Sequence, residues 1–223
     1  MKIGIITFPG SNCDHDIYRI LSNNFSYQTE LLWHADLIEK PYDLLILPGG
    51  FSYGDYLRPG AISRFSKAMR SLQDHVSQGK PVIGICNGFQ ILCESGLLPG
   101  VLIRNTTLKH IAKNVAITTN PGNRYTHTLP ADKEYIIPIS HGDGNYRVDN
   151  DVLKEMKANN QIAFQYVQNP NGSVENIAGV TDKNHKVLGM MPHPERAIDP
   201  FTGGTDGNLV INSLLSRAIS LVS

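Results

Sequence analysis

The 223 residues contain no apolar run of bilayer-spanning length, no internal repeat, only three cysteines and no excess of either charge. Each shortage excludes something. A membrane-spanning helix needs about 20 consecutive apolar residues, so no membrane partner is expected. The opening Met1-Lys2-Ile3-Gly4-Ile5-Ile6-Thr7 is too short for the apolar core of a secretory signal and lacks its cleavage site, which points to the cytoplasm. Twenty basic and twenty acidic side chains cancel, so nothing draws the chain as a whole toward nucleic acid. The thiols fall at spacings unlike a disulfide framework or a zinc motif, so free cysteines and no metal site are expected. Without repeats or low-complexity tracts, solenoid and linker architectures drop out, and the length suits a single domain over residues 1–223.

What is present is a series of short apolar runs, at Lys2 to Thr7, Thr29 to Trp33, Tyr42 to Leu47, Pro81 to Cys86, Tyr135 to Ser140, Ile162 to Val167, Asn176 to Val180 and Val187 to Met191. Several are continuous rather than alternating, which means strands covered on both faces. Between them lie helical patterns. The clearest is Ile62, Phe65, Met69, Leu72 and Val76, closed by Gly79, and a second uses Ile211, Leu214, Leu215, Ala218, Ile219 and Val222. A weaker helix is expected from Asp14 to Ser22, capped by Asn12 or Asp14. The first half reads strand, helix, strand, strand, helix, strand, helix. The fold class is therefore α/β, one doubly wound and mostly parallel sheet flanked by helices, with its active site at the carboxyl ends of the strands. From about 105 to 151 the pattern is less regular, and hairpins or long loops are expected.

Cys86 stands where the run Pro81-Val82-Ile83-Gly84-Ile85 gives way to a helix-compatible stretch. A sharp strand-to-helix turn lifts such a side chain clear of the sheet and aims the following amides at its reaction partner. Gly84 and Gly88 bracket it, leaving room for a substrate. A thiol also needs a base. Near the far end, Pro192-His193-Pro194-Glu195 follows another apolar run; residues two apart in extended chain share a side, so Glu195 can hold the His193 imidazole in one tautomer. Singly, each of these residues has an ordinary structural reading. Jointly, they make a Cys86, His193, Glu195 triad.

Pro48-Gly49-Gly50-Phe51 ends a strand at the same predicted edge, and its amides, with that of Asn87, suit an oxyanion hole; a tight turn needing positive φ explains the glycines equally well. Gln90 lies one helical turn past Cys86, and Ser140-His141-Gly142 follows another strand, so both stretches suit the polar ends of a substrate. His141 rivals His193 as base, with Asp143 two residues on. Cys13 ranks below Cys86 as nucleophile because no conformationally locked base follows it, and Asp14, His15 and Asp16 make only a weak metal pattern. Cys93 is expected in the core.

With these residues in place, the chain resembles the class I glutamine amidotransferases, through Gly84-Ile85-Cys86-Asn87-Gly88-Phe89-Gln90 and His193-Pro194-Glu195. Within them it is similar to the purine-biosynthetic glutaminases, through Pro9 to Asp14, Pro48 to Arg58, Ser140 to Gly144 and Met191 to Arg196. The resemblance implies a flavodoxin-like architecture, and glutamine as substrate, attacked by Cys86 with His193 relaying the proton and Glu195 orienting it. It implies an oxyanion site at Gly49, Gly50, Phe51 and Asn87, and glutamine held by Gln90, Ser140, His141 and Gly142. It also implies no cofactor in this chain. ATP and magnesium would sit in a large synthetase subunit, which with a small accessory subunit would use the ammonia to turn formylglycinamide ribonucleotide into formylglycinamidine ribonucleotide. The residues themselves leave two alternatives open, a stand-alone γ-glutamyl or cysteine hydrolase on this fold and a non-catalytic binding module.

Overall fold

The computed structural model describes residues 1–201 and 203–222. In chain order its elements are β1 (Lys2–Thr7), α1 (Asp14–Arg19), β2 (Gln28–Trp33), β3 (Leu44–Leu47), α2 (Lys67–Ser77), β4 (Val82–Ile85), α3 (Asn87–Glu94), β5 (Val101–Ile103), β6 (Ile111–Thr119), β7 (Tyr135–His141), β8 (Asn145–Arg147), α4 (Asn150–Ala158), β9 (Ile162–Tyr166), β10 (Ile177–Thr181), β11 (Val187–Met190) and α5 (Asp206–Val222). Nine strands form one sheet in the order β2-β1-β3-β4-β11-β10-β9-β6-β7, and β5 and β8 pair separately. From β2 to β11 all pairings are parallel. The rest are antiparallel. Strand β9, reversed twice, and β7, reversed four times, run with the parallel set, so seven of the nine point the same way. Among the described residues no helix is long and apolar enough to cross a membrane.

The unbroken apolar runs become the strands buried along their whole length: every residue of β3, β4 and β11 is inside. Strand β2, at the edge, has only exposed and half-buried positions instead. The parallel half has the flavodoxin-like order, which places a crevice where β1 and β3 diverge, at their carboxyl ends. The antiparallel half brings β7 back to the same rim, where His193 N donates to Pro138 O at 2.8 Å.

Three expectations need correction. Phe65 does not share the face of Met69 and Leu72: it lies in a separate short turn and is 69% exposed. Ser66 has extended backbone and caps α2 by accepting from Met69 N at 3.3 Å, which breaks the helix and its phase. The first helix ends at Arg19 and runs into a wider π turn from Ile20 to Asn24. Its N-cap is Cys13, with no side-chain cap, rather than Asn12 or Asp14. Helix α4 escaped the sequence reading because only Leu153 and Met156 are buried on it, too few positions to show a period.

Candidate active site

Cys86 has φ 50° and ψ −105°, a left-handed conformation that costs a β-carbon-bearing residue of order 1–3 kcal/mol. The strain sits at the turn between β4 and α3, the geometry of a nucleophile elbow. The glycines on either side serve packing rather than substrate access. A β-carbon on Gly88 would fall 2.0 Å from Leu47 O, and one on Gly84 2.7 Å from the backbone of Gly88. Helix α3 thus lies directly against β3 and β4, with its positive N-terminus at the sulfur.

Behind the cysteine, His193 Nδ1 and Glu195 Oε1 are 2.6 Å apart, and both side chains are at most 2% exposed. Pro194 starts the short turn that carries Glu195 back beneath the ring. Burial alone would strip the proton from His193. The charges of Glu195 and Cys86 outweigh it and hold the imidazole pKa well above its usual value. Among the described residues His193 Nε2 makes no hydrogen bond. The Cys86 thiol donates instead to Ser140 O at 3.7 Å, the loose arrangement expected of a site without substrate.

Close to the imidazole lies Cys13 as well. Its sulfur accepts from Arg196 Nη2 at 3.1 Å, and it presents a ligand atom within 4.8 Å of those of His193 and Glu195. A β-carbon on Gly49 would sit 2.6 Å from His193 Cε1 and 3.0 Å from Cys13 Sγ, so only glycine leaves room for the two to meet. Burial raises the Cys13 pKa against the lowering effect of His193 and Arg196. Arg196 also pairs with Asp16 at 3.3 Å. A guanidinium on the sulfur, and an imidazole already committed to Glu195, make this cluster a holder of protons rather than of a metal cation. The sequence shows no conformationally locked base following Cys13; the imidazole near it is that of His193, 180 positions downstream.

In front of Cys86 opens a cavity of about 560 Å³ whose lining includes Gly50, Phe51, Gln90, Ser140, His141 and Gly142. Gly49 and Asn87 are not among its lining residues but are sequence neighbours of Gly50 and Cys86, which are. Of the proposed oxyanion donors, Phe51 N is spent on Gly10 O at 2.9 Å. That residue is therefore a wall, not a donor, in this conformation. The amides of Gly50 and Asn87 donate to no backbone carbonyl among the described residues and stay available. Side chains continue the order: Asn87 Oδ1 accepts from Ser52 N at 3.1 Å, its Nδ2 donates to Gln90 Oε1 at 2.9 Å, and Gln90 Nε2 donates to Asp143 O at 2.7 Å.

His141 is no rival base. Its Nδ1 meets Asn105 Oδ1 at 3.2 Å and its Nε2 faces Asn171 Nδ2 at 3.5 Å, so amides hold both ring nitrogens. Burial, then His193 and His110, pull its pKa down to about 4. A neutral ring fixed between amides braces the Ser140 to Gly142 turn. Ser140 Oγ also meets His110 Nε2 at 3.0 Å, a partner the sequence gave no reason to single out. Cys93 is buried and its thiol lies well above its usual pKa.

A strained cysteine at a strand end, a buried histidine and carboxylate behind it, and free amides at a glycine turn are the parts of an amide-cleaving site. The CobB/CobQ-like glutamine amidotransferase domain matches residues 1–205. The PurQ subunit of phosphoribosylformylglycinamidine synthase from Leptospira interrogans is 54% identical over 217 residues, covering 96% of this chain and 99% of that protein. A chain of PurLQS from Thermotoga maritima superposes with a TM-score of 0.87 at 41% identity, covering 96% of this chain and 97% of its own. A glutamine amidotransferase from the same organism, at 18% identity and a TM-score of 0.65 over 98% of each chain, shares the fold. The chain belongs to the CobB/CobQ-like glutamine amidotransferases, and within them to the PurQ glutaminase subunits of phosphoribosylformylglycinamidine synthase.

Proposed function

We propose that Cys86, His193 and Glu195 cleave the side-chain amide of glutamine and that the ammonia passes to a synthetase subunit docked on this chain. The Cys86 thiol gives its proton to His193 Nε2, and the sulfur attacks the amide carbon. Negative charge then develops on the amide oxygen, facing the amides of Gly50 and Asn87. His193, held protonated by Glu195, returns the proton to the nitrogen as the C–N bond breaks, releasing ammonia and leaving a glutamyl thioester. Water, deprotonated by the now neutral His193, attacks the thioester carbon; the C–S bond breaks, glutamate leaves, and the proton returns to the sulfur. The observation that carries this reading is the 2.6 Å contact between two fully buried groups, His193 and Glu195, next to a cysteine in strained conformation.

On this reading Gln90, Ser140, His141 and Gly142 frame the glutamine, and the chain itself needs no cofactor. ATP and magnesium belong to the large synthetase subunit, which converts formylglycinamide ribonucleotide into formylglycinamidine ribonucleotide, with a small accessory subunit completing the assembly. Cys86→Ala tests the assignment. In the assembled complex it abolishes synthesis from glutamine and leaves synthesis from free ammonia intact. Equal loss with both nitrogen sources would overturn the role given to Cys86.

A further inference from the structure

The pocket in front of Cys86 carries two carboxylates that the chemistry above does not use. Asp55 and Asp143 both line it, the first from the loop after β3 and the second from the turn after β7. Asp55 stands at φ 53°, third in a run of positive φ angles with Tyr53 and Gly54. Backbone held in this sparsely populated region concentrates where a side chain must be presented. The loop is fastened on both flanks. Ser52 N donates to Asn87 Oδ1 at 3.1 Å, and Arg58 grips Glu94 through two hydrogen bonds of 2.6 and 2.7 Å. That grip also removes the Arg58 guanidinium as a counter-ion for Asp55. Arg104 approaches only Asp143, loosely, at 3.6 Å, with its side chain 65% exposed. Among the described residues the one hydrogen-bond partner of the Asp55 carboxylate is Asn87 Nδ2 at 3.4 Å.

We infer that Asp55, with Asp143 nearby, seats the α-ammonium of the substrate and so restricts the site to free glutamine over glutamine without a free amino group. Cys86, and the unpartnered Nε2 of buried His193 beside it, fix the amide end of the substrate. A glutamine so anchored must place its α-carbon elsewhere in the same cavity. There the negative charge of Asp55 lacks a cation, and an ammonium supplies one, while Arg104 at the mouth is left for the α-carboxylate. Burial and the nearby Asp143 carboxylate push Asp55 up to about 6, and a cation beside the two carboxylates offsets both effects. Asn87 then links the two ends, touching Asp55 and Gln90 while its backbone follows the nucleophile.

The inference rests on the glutaminase reading, and the test separates the two. With the synthetase partner present, ammonia release is measured for glutamine and for glutaramate, which is glutamine without its α-amino group. The native chain prefers glutamine. In Asp55→Asn the KM for glutamine rises and kcat/KM falls about 10- to 100-fold, the loss of one charge-assisted contact, so the preference over glutaramate collapses; Asp143→Asn narrows it less, and Asp55→Glu restores part of it. Parallel loss on both substrates, or an unchanged KM for glutamine, would overturn the inference. Calorimetric titration of glutamine into Cys86→Ala, with and without Asp55→Asn, reads the seat without chemistry. Glutamine bound through Asp55 by a native chain that releases no ammonia would sink the glutaminase reading and keep the seat, and equal binding by the two variants would sink the seat alone.

Discussion

At the scale of single residues, the site works by deciding where one proton sits. Glu195 exists to keep it on His193, because burial alone would remove it. Glu195→Gln preserves a hydrogen-bond acceptor and removes the charge. Glutamine hydrolysis is expected to fall about 10²- to 10⁴-fold, with the pH at which His193 loses its proton moving down; an unchanged pH profile, read from kcat against pH, would show that the carboxylate does not set the imidazole. Cys13 sharpens the point. Two thiols lie near the same ring and both cap helices, but only Cys86 is strained and open to the cavity, whereas burial raises Cys13 and a guanidinium donates to it. The members of the Cys86, His193 and Glu195 group were legible in the sequence because each carries a local mark, a strand-end cysteine and a histidine and carboxylate two apart, while the pairing of β4 with β11 brings them to one rim. The place of Cys13 was not, since its distance from His193 depends on how β1 and β11 are brought together and no local pattern encodes that. The commitment of Phe51 N to Gly10 was hidden for the same reason.

At the scale of elements, the glycines around Cys86 show how packing sets catalytic geometry. Gly88→Ala puts a methyl 2.0 Å from Leu47 O, against backbone rather than a flexible side chain. Helix α3 must move away from β3, at a cost of about 1–3 kcal/mol and a fall in melting temperature of roughly 2–12 °C for a chain of this size. Calorimetric scanning reads the stability, and glutamine turnover drops with it because Cys86 is carried on the displaced turn. Helix α2 ends on a different device. Buried His75 meets Pro81 O at 3.0 Å, and burial lowers its pKa to about 4. The unfolded chain takes up this proton near pH 6.5 and the folded chain only near 4, so stability is lost as pH falls through that window. His75→Gln is expected to remove about 1–2 kcal/mol of that loss at pH 5, seen as a flatter plot of melting temperature against pH; a plot parallel to that of the native chain would refute it. Strands with continuous apolar runs could be read directly because burial on both faces leaves that mark, while the phase break at Ser66 and the sparse face of α4 left none.

At the scale of the whole molecule, the sheet gathers the loops after β1, β3 and β4 and the turns after β7 and β11 at one rim, and what surrounds that rim bears on assembly. Tyr56 and Leu57 follow Asp55 on the same loop and are 79% and 85% exposed, beside the mouth of the glutamine cavity. Large apolar side chains in such a position are what a partner surface covers, and an aromatic ring there has the character of a binding anchor. Two strongly exposed members of this loop carry large apolar surface, which favours contact with a partner. A partner seated here would press on the segment that carries Asp55, linking docking to the order of the substrate seat. Tyr56→Ala should weaken binding of the synthetase subunit about tenfold or more while the rate of glutamine hydrolysis by the free chain matches that of the native free chain, because the Tyr56 ring packs over Gly54 and lies outside the cavity lining. Titration calorimetry for the complex and ammonia release for the free chain measure the two effects. Undiminished partner affinity would move the docking face elsewhere on the molecule, and lost hydrolysis in the free chain would make Tyr56 part of the site instead.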